Sequence, residues 1–150
     1  MSRFKFETPF NCSAADLFQW HMQTGAFERL CPPWIKVKVL EQKGKIEDKG
    51  TVLLEIREGI IKFRWHLAHD QYIPNKQFCD YQLSGPFKSW RHFHRFIENG
   101  ENSILIDEIE YELPVPPPLG KFAEALVNLR LTQLFKFRHE VTKNGCQTKV

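Results

Sequence analysis

The stretch FCDYQLSGPFKSWRHFHRF, residues 78–96, decides the fold, because it is typical of two long strands joined by a turn at Gly85 and Pro86. Side chains alternate between the two faces of a strand. The first strand therefore places Asp80 and Gln82 on one face. One face of the second strand carries Trp90, His92, His94 and Phe96. Such a mixture is too polar for an ordinary core and too aromatic for an ordinary surface, and it indicates the wall of a ligand pocket.

Composition and charge narrow the function classes. The 150 residues are enough for a sizeable core, and we predict one ligand-binding domain over residues 1–150. Thirteen Phe and four Trp supply large apolar areas that suit a core or a pocket lining. The formal net charge is only +3, with basic and acidic residues interspersed, so no nucleic-acid surface is predicted. No apolar run is long enough to span a membrane.

The spacing and number of the cysteines indicate the cellular compartment in which the protein is found. Cys12, Cys31, Cys79 and Cys146 are far apart and lack CxxC spacing, which argues against a zinc knuckle. Their even number would also suit disulfides in a secreted chain. No apolar signal segment follows Met1, so we favour a reducing cytosol and predict a cytoplasmic protein.

The first thirty residues predict one strand and two short helices. Residues 3–10 alternate between apolar and polar side chains, as a half-buried strand does. Ser13 followed by Asp16 predicts the start of a helix that runs to about His21. A second short helix is predicted over residues 25–30, where two prolines follow and end it.

Five further strands are predicted in addition to the strand at residues 3–10 and the strand before Gly85. Alternation predicts them at residues 35–39, 51–57, 60–72, 89–96 and 103–113. Phe63 and Trp65 share a face of the third of these, and Asp107 and Tyr111 share a face of the last. A hairpin turn is predicted at Asn99-Gly100, because this dipeptide favours the backbone of a two-residue turn.

A single long helix is predicted over residues 119–141. Its apolar residues recur with a period of 3.6: Leu119, Phe122, Ala123, Leu126, Val127, Leu134, Phe137 and Val141. This helix must cover the apolar face of the sheet. We therefore predict an α+β fold in which a seven-stranded antiparallel sheet wraps around the C-terminal helix, with two short helices after the first strand. The tail from Thr142 onwards is predicted to be frayed.

Four segments carry a resemblance to a known family. They are FERLCPPW at residues 27–34, DYQLSGPF at 80–87, WRHFHRF at 90–96 and DEIEYELP at 107–114. With the order of elements, they resemble the START-like (SRPBCC) superfamily and its helix-grip fold over nearly the whole chain. The closest resemblance is to a branch that occurs alone or ahead of an atypical short-chain dehydrogenase domain of the nucleotide-sugar epimerase type.

The resemblance implies a fold and a range of functions. The superfamily includes carriers of lipids and hydrophobic ligands, polyketide cyclases and quinone-binding proteins. One fold hosts many functions, so the activity does not follow from the fold. The chain has no Gly-rich dinucleotide fingerprint, so it resembles the stand-alone form, and no cofactor is predicted.

Two histidines and two aspartates form the candidate polar site. His92 and His94 are two residues apart and point the same way, towards Asp80 and Asp107 on neighbouring strands. Two imidazoles and a carboxylate can bind a metal ion. A His–Asp pair can also act as a general acid–base. We favour the third alternative, structural or ligand-orienting hydrogen bonds, and we predict no metal site and assign no catalytic residue.

Arg130 is the second candidate, because its helical angle places it within the apolar stripe. A buried guanidinium needs a partner. We predict a salt bridge from Arg130 to Asp80 or Asp107, and the alternative is a fork for a carboxylate or phosphate of the ligand.

Three functions are compatible with these residues. The favoured one is binding of a small hydrophobic or amphipathic molecule in a cavity between sheet and helix. The alternatives are a cyclase- or dehydratase-type enzyme that uses a His–Asp pair, and an interaction module for a short-chain-dehydrogenase-like partner. The predicted ligand contacts are Trp34, Phe63, Trp65, Asp80, Gln82, Trp90, His92, His94, Asp107, Tyr111 and Arg130.

Overall fold

The computed structural model describes residues 1–146 and contains one seven-stranded antiparallel sheet. The strands are β1 Ser2–Phe10, β2 Lys36–Lys43, β3 Thr51–Glu58, β4 Ile61–Ile73, β5 Gln77–Ser84, β6 Ser89–Asn99 and β7 Asn102–Glu112. Their order across the sheet is β1-β7-β6-β5-β4-β3-β2, so each strand from β2 to β7 pairs with its sequence neighbour, and β1 pairs with β7. The predicted α+β helix-grip fold is confirmed.

Within residues 1–146, three α-helices complete the fold, α1 Ala14–Met22, α2 Ala26–Arg29 and α3 Leu119–Cys146, and a short 3-10 helix, Ile46–Asp48, precedes β3. The capping that the sequence predicts is present at α1, where the Asp16 backbone N–H donates to the Ser13 hydroxyl at 3.0 Å. Gly25 precedes α2 with φ of 84°, a conformation that glycine adopts without steric cost. No helix within residues 1–146 is both long enough and apolar enough to cross a membrane.

The strand register fixes which side chains meet on the inner face of the sheet. Asp80 on β5 lies opposite His92 on β6, and His94 on β6 lies opposite Asp107 on β7. Residues directly opposite in an antiparallel pair point to the same face. The faces predicted from alternation are therefore correct for these three strands.

Two groups of buried side chains form the core. The first lies under α1 and comprises Phe10, Ala14, Leu17, Phe18, Trp20, Phe78, Phe96, Leu105 and Cys146. The second lies between the sheet and the middle of α3 and comprises Phe4, Trp90, Ile109, Tyr111, Leu131 and Phe135. The polar side chains of the candidate site lie on the same inner face as these aromatic residues.

The helical phase predicted for α3 is correct only in part: Val127, Leu134 and Val141 are half-buried and pack against the two core groups, but the first turns do not. Leu119, Phe122 and Leu126 are exposed to 67%, 78% and 52%. The buried residues are instead Leu131, Phe135, His139, Thr142 and Cys146, at a spacing of three or four. The prediction failed because it counted apolar residues, whereas the buried stripe includes a histidine and a threonine, and the apolar first turns extend into solvent.

The end of α3 also differs from the prediction. The helix continues past residue 141 to Cys146, and Thr142 is 1% exposed instead of frayed. Cys146 forms a disulfide with Cys12, their Cα atoms being 6.7 Å apart, whereas Cys31 and Cys79 are free thiols. This bond differs from the reduced cysteines that a cytosolic location implies. The rest of the predicted tail, residues 147–150, lies outside the described residues.

The corrected phase leads to a paired test on α3. Leu131→Asp places a charge against the sheet, and we expect it to reduce the free energy of unfolding by more than about 3 kcal/mol or to prevent folding. Leu126→Asp replaces a half-exposed side chain and should change it by less than about 1 kcal/mol. Urea denaturation followed by circular dichroism measures both. Equal losses in the two variants would contradict the phase described here.

Candidate functional site

Four histidines and two aspartates meet on the inner face of the sheet, and we refer to them as the His–Asp cluster. Its members are His69 on β4, Asp80 on β5, His92 and His94 on β6, Asp107 on β7 and His139 on α3. The side chains of His92, Asp107 and His139 are at most 5% exposed, and those of His69, Asp80 and His94 at most 18%. Such groups are buried at a cost unless they are paired.

Asp107 accepts hydrogen bonds from three imidazoles. Its Oδ1 lies 2.7 Å from His92 Nε2 and 3.1 Å from His94 Nδ1. Its Oδ2 lies 2.7 Å from His139 Nε2. Because His139 belongs to α3, this carboxylate joins the helix to the centre of the sheet.

Asp80 is bonded on both of its oxygens as well. His69 Nδ1 lies 2.5 Å from Oδ1, and His94 Nε2 lies 2.8 Å from Oδ2. His92 Nδ1 is 4.0 Å from Oδ2, which is too long for a hydrogen bond. His94 is therefore the one ring that bonds to both carboxylates.

These contacts define the charge of His94. An ionised carboxylate only accepts hydrogen bonds, so both nitrogens of His94 must donate, and the ring is an imidazolium. Burial lowers the pKa of His94, but Asp80 and Asp107 outweigh it and raise the pKa to about 9. Burial and the nearby charge of His94 lower the pKa of His92 to about 4, so His92 is neutral at pH 7.

The two carboxylates are ionised. Burial alone would raise the pKa of Asp80, but the charge of His94 and the hydrogen bonds from His69 and His94 hold it well below its usual range. Burial opposes ionisation of Asp107 too, and the hydrogen bonds from His139, His92 and His94 hold its pKa well below the usual range. The cluster is thus a charged, hydrogen-bonded unit inside the fold.

The predicted aromatic contacts pack mainly against one another. The Trp65 and Trp90 rings are 4.9 Å apart, and Phe63 lies 6.3 Å from Trp65. The Tyr111 hydroxyl donates to Asn128 Oδ1 of α3 at 2.7 Å. Gln82 exchanges two hydrogen bonds with the backbone of Phe87 and so holds the β5–β6 turn. Phe63, Trp65, Trp90 and Tyr111 are therefore contacts of the inner face in this structure, and Gln82 is a turn contact.

A groove between α3 and β1 lies beside the cluster, and we call it the α3–β1 groove. Its volume is about 670 Å³, and it opens to solvent. It is lined by Phe6, Thr8, Trp34, Gln133, Lys136, Phe137, His139, Glu140 and Lys143. Trp34, which is 45% exposed, packs edge-on against Phe137 with ring centroids 5.5 Å apart. Among the predicted ligand contacts, Trp34 is the one that lines this groove.

His139 connects the groove to the cluster. Its Nε2 donates to Asp107, and its Nδ1 lies 2.7 Å from the Thr8 hydroxyl. When His139 is neutral, Nδ1 has a free lone pair and accepts a hydrogen bond from Thr8. The chain Asp107–His139–Thr8 therefore runs from the buried cluster to the lining of the groove.

Arg130 does not belong to the site, and this prediction is wrong. Its side chain is 58% exposed and forms an ion pair with Glu58 at the end of β3. The partly buried cation near the cluster is Arg138, two turns further along α3, whose Nε donates to the Leu30 carbonyl oxygen at 3.2 Å. Burial lowers the pKa of Arg138, and the charges of Asp107 and Asp80 oppose that effect. The error has the same origin as the partly wrong helical phase.

The sequence did not point to His69, Thr8 or His139 as members of the site. The signal for His69 was weak, because the β4–β5 register shifts at His66/Leu67 and again at Asp70/Ile73. Thr8 shares a face of β1 with Phe4, Phe6 and Phe10, but nothing in the pattern of that strand connects it to a histidine. His139 lies one helical turn after Phe135 and would have been found if polar residues had been included in the stripe.

The cluster leads to a stability prediction. Asp107→Asn removes the ionised acceptor of three imidazole N–H groups, and we expect a loss of about 3–5 kcal/mol in the free energy of unfolding, the usual size when one partner of a buried ion pair is removed. Arg130→Met is the control, because its surface ion pair should contribute less than about 1 kcal/mol. Denaturant titration measures both variants. A loss for Asp107→Asn no larger than that of the control would show that the cluster does not support the fold.

Comparisons with solved structures agree with this fold. A START superfamily protein from Mycobacterium smegmatis is 15% identical, with 99% of each chain covered and a TM-score of 0.66. An aromatase/cyclase from a Streptomyces species is 13% identical over 97% of this chain and 93% of that chain, with a TM-score of 0.74. A nucleoside-diphosphate sugar epimerase from Corynebacterium glutamicum is 20% identical over 94% of this chain but only 28% of its own, with a TM-score of 0.68. At these identities the similarity shows the fold alone.

The family assignment comes from the sequence itself. No curated protein sequence matches the chain. A family model described as polyketide cyclase/dehydrase and lipid transport matches residues 11–136. Together with the solved structures, this match confirms the START-like resemblance. The chain belongs to the polyketide cyclase/dehydrase and lipid transport family.

Proposed function

We propose that the chain binds a small amphipathic molecule, aromatic or otherwise apolar with an acidic or carbonyl group, in the α3–β1 groove. The observation that carries this proposal is the combination of an aromatic wall and a polar floor that continues into the His–Asp cluster. The volume of about 670 Å³ lies within the range of small-molecule sites. Family membership supports binding of a hydrophobic ligand or cyclase-type chemistry, without naming the ligand.

The apolar part of the ligand would lie between Trp34, Phe137 and Phe6. Trp34 and Phe137 form an edge-to-face pair whose exposed surfaces are available to a flat, apolar molecule. A half-exposed tryptophan costs free energy in water, and a ligand that covers it would recover part of that cost.

The polar part of the ligand would meet Thr8 and His139 on the floor and two lysines at the rim. Lys136 and Lys143 line the groove together with Glu140, so its cations outnumber its carboxylates. Ammonium groups favour an anionic partner. An acid or an ionised phenol would therefore be preferred over a neutral ligand of the same shape.

The remaining predicted contacts would act behind this groove. Asp107 fixes the His139 ring through Nε2, and His92 and His94 bond to the same carboxylate. We therefore propose that these residues position the groove floor. The interior positions of Phe63, Trp65, Trp90 and Tyr111 would support the inner face, and Asp80 would hold the charge of His94.

Acid–base catalysis in the same groove is the second candidate function. The observation that favours it is the Asp107–His139–Thr8 chain, in which a buried carboxylate orients an imidazole that faces the groove lining. In such an arrangement His139 would take or return a proton of a bound ligand, and Asp107 would stabilise the charged ring. Here the histidine that would act is His139, whereas the sequence pointed to His92 or His94.

Two wider expectations accompany the proposal. A cytoplasmic location stays a prediction. A short-chain-dehydrogenase-like partner is also a proposal, supported by the similarity of this fold to part of an epimerase chain. A partner of that kind would have to leave the α3–β1 groove open if the groove binds a ligand.

The groove can be tested with two naphthalene probes, anionic 8-anilinonaphthalene-1-sulfonate and its neutral analogue N-phenyl-1-naphthylamine. We expect saturable fluorescence enhancement with one site per chain. Trp34→Ala should weaken the binding of both probes by at least about tenfold, because it removes one aromatic wall. Lys136→Gln should weaken the binding of the anionic probe only.

Ile60→Ala is the matched control, since Ile60 is a fully exposed apolar residue of the β3–β4 turn, which is not part of the groove. Equal binding to wild type and Trp34→Ala, or an effect of Ile60→Ala as large as that of Trp34→Ala, would contradict the proposed location. His139→Gln leaves the aromatic wall in place, so we expect it to bind N-phenyl-1-naphthylamine as tightly as wild type under either candidate function. Loss of turnover of an identified substrate in this variant, with binding unchanged, would favour the enzyme.

A further inference from the structure

We propose that Asp80, His92 and His94 bind a divalent first-row transition metal ion, with Asp107 and His69 as the outer groups that orient these ligands. This inference does not depend on the proposed function of the α3–β1 groove. It also departs from the absence of a metal site predicted from the sequence. The sequence alone does not establish the strand register, and the observed register brings the three side chains together.

The donor atoms have the separations that one ion requires. One donor atom from each of the three residues lies within 4.8 Å of the other two. Asp80 Oδ2 is 2.8 Å from His94 Nε2 and 4.0 Å from His92 Nδ1. Ligands held at about 2.0–2.1 Å from one ion lie roughly 3 Å apart. Movements of the three side chains by a few tenths of an ångström up to about 1 Å would therefore bring their donor atoms to coordination distance.

The imidazole nitrogens that face away from the proposed ion are already held in place. Metal-bound imidazoles usually donate the other ring N–H to a carboxylate, which fixes the tautomer and the ring orientation. His92 Nε2 and His94 Nδ1 both lie within hydrogen-bonding distance of Asp107 Oδ1, at 2.7 and 3.1 Å. Both rings thus present their remaining nitrogen to Asp80 in the arrangement of a carboxylate–histidine–metal site.

The third ligand is supported in the same way. Asp80 uses Oδ1 to accept from His69 Nδ1 at 2.5 Å, which leaves Oδ2 for the ion. The bond from His94 Nε2 to Oδ2 is the one that the ion would replace, so the bond from His69 on β4 orients the carboxylate in the metal-bound site. Each proposed ligand therefore has an orienting partner within the described residues.

The charge balance favours a divalent cation. The charges of Asp80, Asp107 and the imidazolium of His94 sum to −1. A divalent ion that displaces the proton on His94 Nε2 would leave a sum of zero. The displaced proton would pass to solvent, and the His94 Nδ1–H would keep its bond to Asp107.

Two imidazoles and one carboxylate select the class of metal. Imidazole suits zinc, iron, copper and nickel, whereas Mg²⁺ and Ca²⁺ favour all-oxygen ligands. The free thiol of Cys79 is buried on the opposite face of β5, so it is not available as a soft ligand. We expect Zn²⁺ and Co²⁺ to bind and Mg²⁺ not to compete.

The test uses the untagged full chain after treatment with a chelator. Isothermal titration with Zn²⁺ at pH 7.5 should give one site per chain, and Co²⁺ should show visible absorption bands that Zn²⁺ removes. His92→Gln and Asp80→Asn should each weaken the affinity for Zn²⁺ by at least about 100-fold. Asp107→Asn should weaken this affinity by about 10–100-fold, the usual effect of removing an orienting group.

His66→Gln is the matched control, because His66 lies on β4 outside the cluster and should leave the affinity unchanged. Less than one equivalent of Zn²⁺ on wild type, or equal affinity in the control and in His92→Gln, would overturn the proposal. If the ligand variants do not fold, NMR of wild type decides: Co²⁺ should shift the imidazole signals of His92 and His94 and not that of His66. Unshifted His92 and His94 signals would equally overturn it.

Discussion

The fold depends on one buried carboxylate. Asp107 lies on β7, the strand between β1 and β6, and accepts hydrogen bonds from three imidazoles, two on β6 and one on α3. An unpaired charge at this depth would cost several kcal/mol, so the sheet and the helix must bring their donors to it. The contact between His139 and Asp107 therefore constrains both the rotation of α3 and its position along the sheet. Phe135, one turn earlier, and Thr142, three residues later, are buried by the same constraint.

The sequence was sufficient to predict the faces of the strands but not the buried face of α3, and the reason is physical. Side chains along a strand alternate with a period of 2, so Trp90, His92 and His94 had to share a face whatever their polarity. Once the turn between two strands is identified, it sets the register of their pairing. In a helix the buried face must be recognised from its apolar residues. Here the apolar residues of the first turns of α3 face solvent, and the face that meets the cluster contains His139. Arg130 was assigned to the site for this reason, while Arg138 occupies the position near the acids.

The candidate site was predicted in part. Asp80, His92, His94 and Asp107 meet because alternation and hairpin register place them together. His69 and His139 come from contacts that local patterns do not encode: a strand pair with two register shifts and a helix packed across the sheet. The aromatic residues were assigned to the correct face, but the sequence could not show that Trp65 and Trp90 pack on each other while Trp34 stays half exposed beside Phe137.

The polarity of the cluster itself argues for a function beyond stability. Replacing a buried ion pair with well-packed apolar side chains is often neutral or stabilising. A core that already contains Phe4, Trp90, Ile109 and Phe135 could accommodate such a replacement at the same place. The cluster instead holds two carboxylates and an imidazolium, and the charges of these three groups leave one negative charge in excess. That excess is reached from the groove through His139 and Thr8, so a ligand or an ion that supplies hydrogen bonds or positive charge would interact with the most polar point of an otherwise aromatic interior.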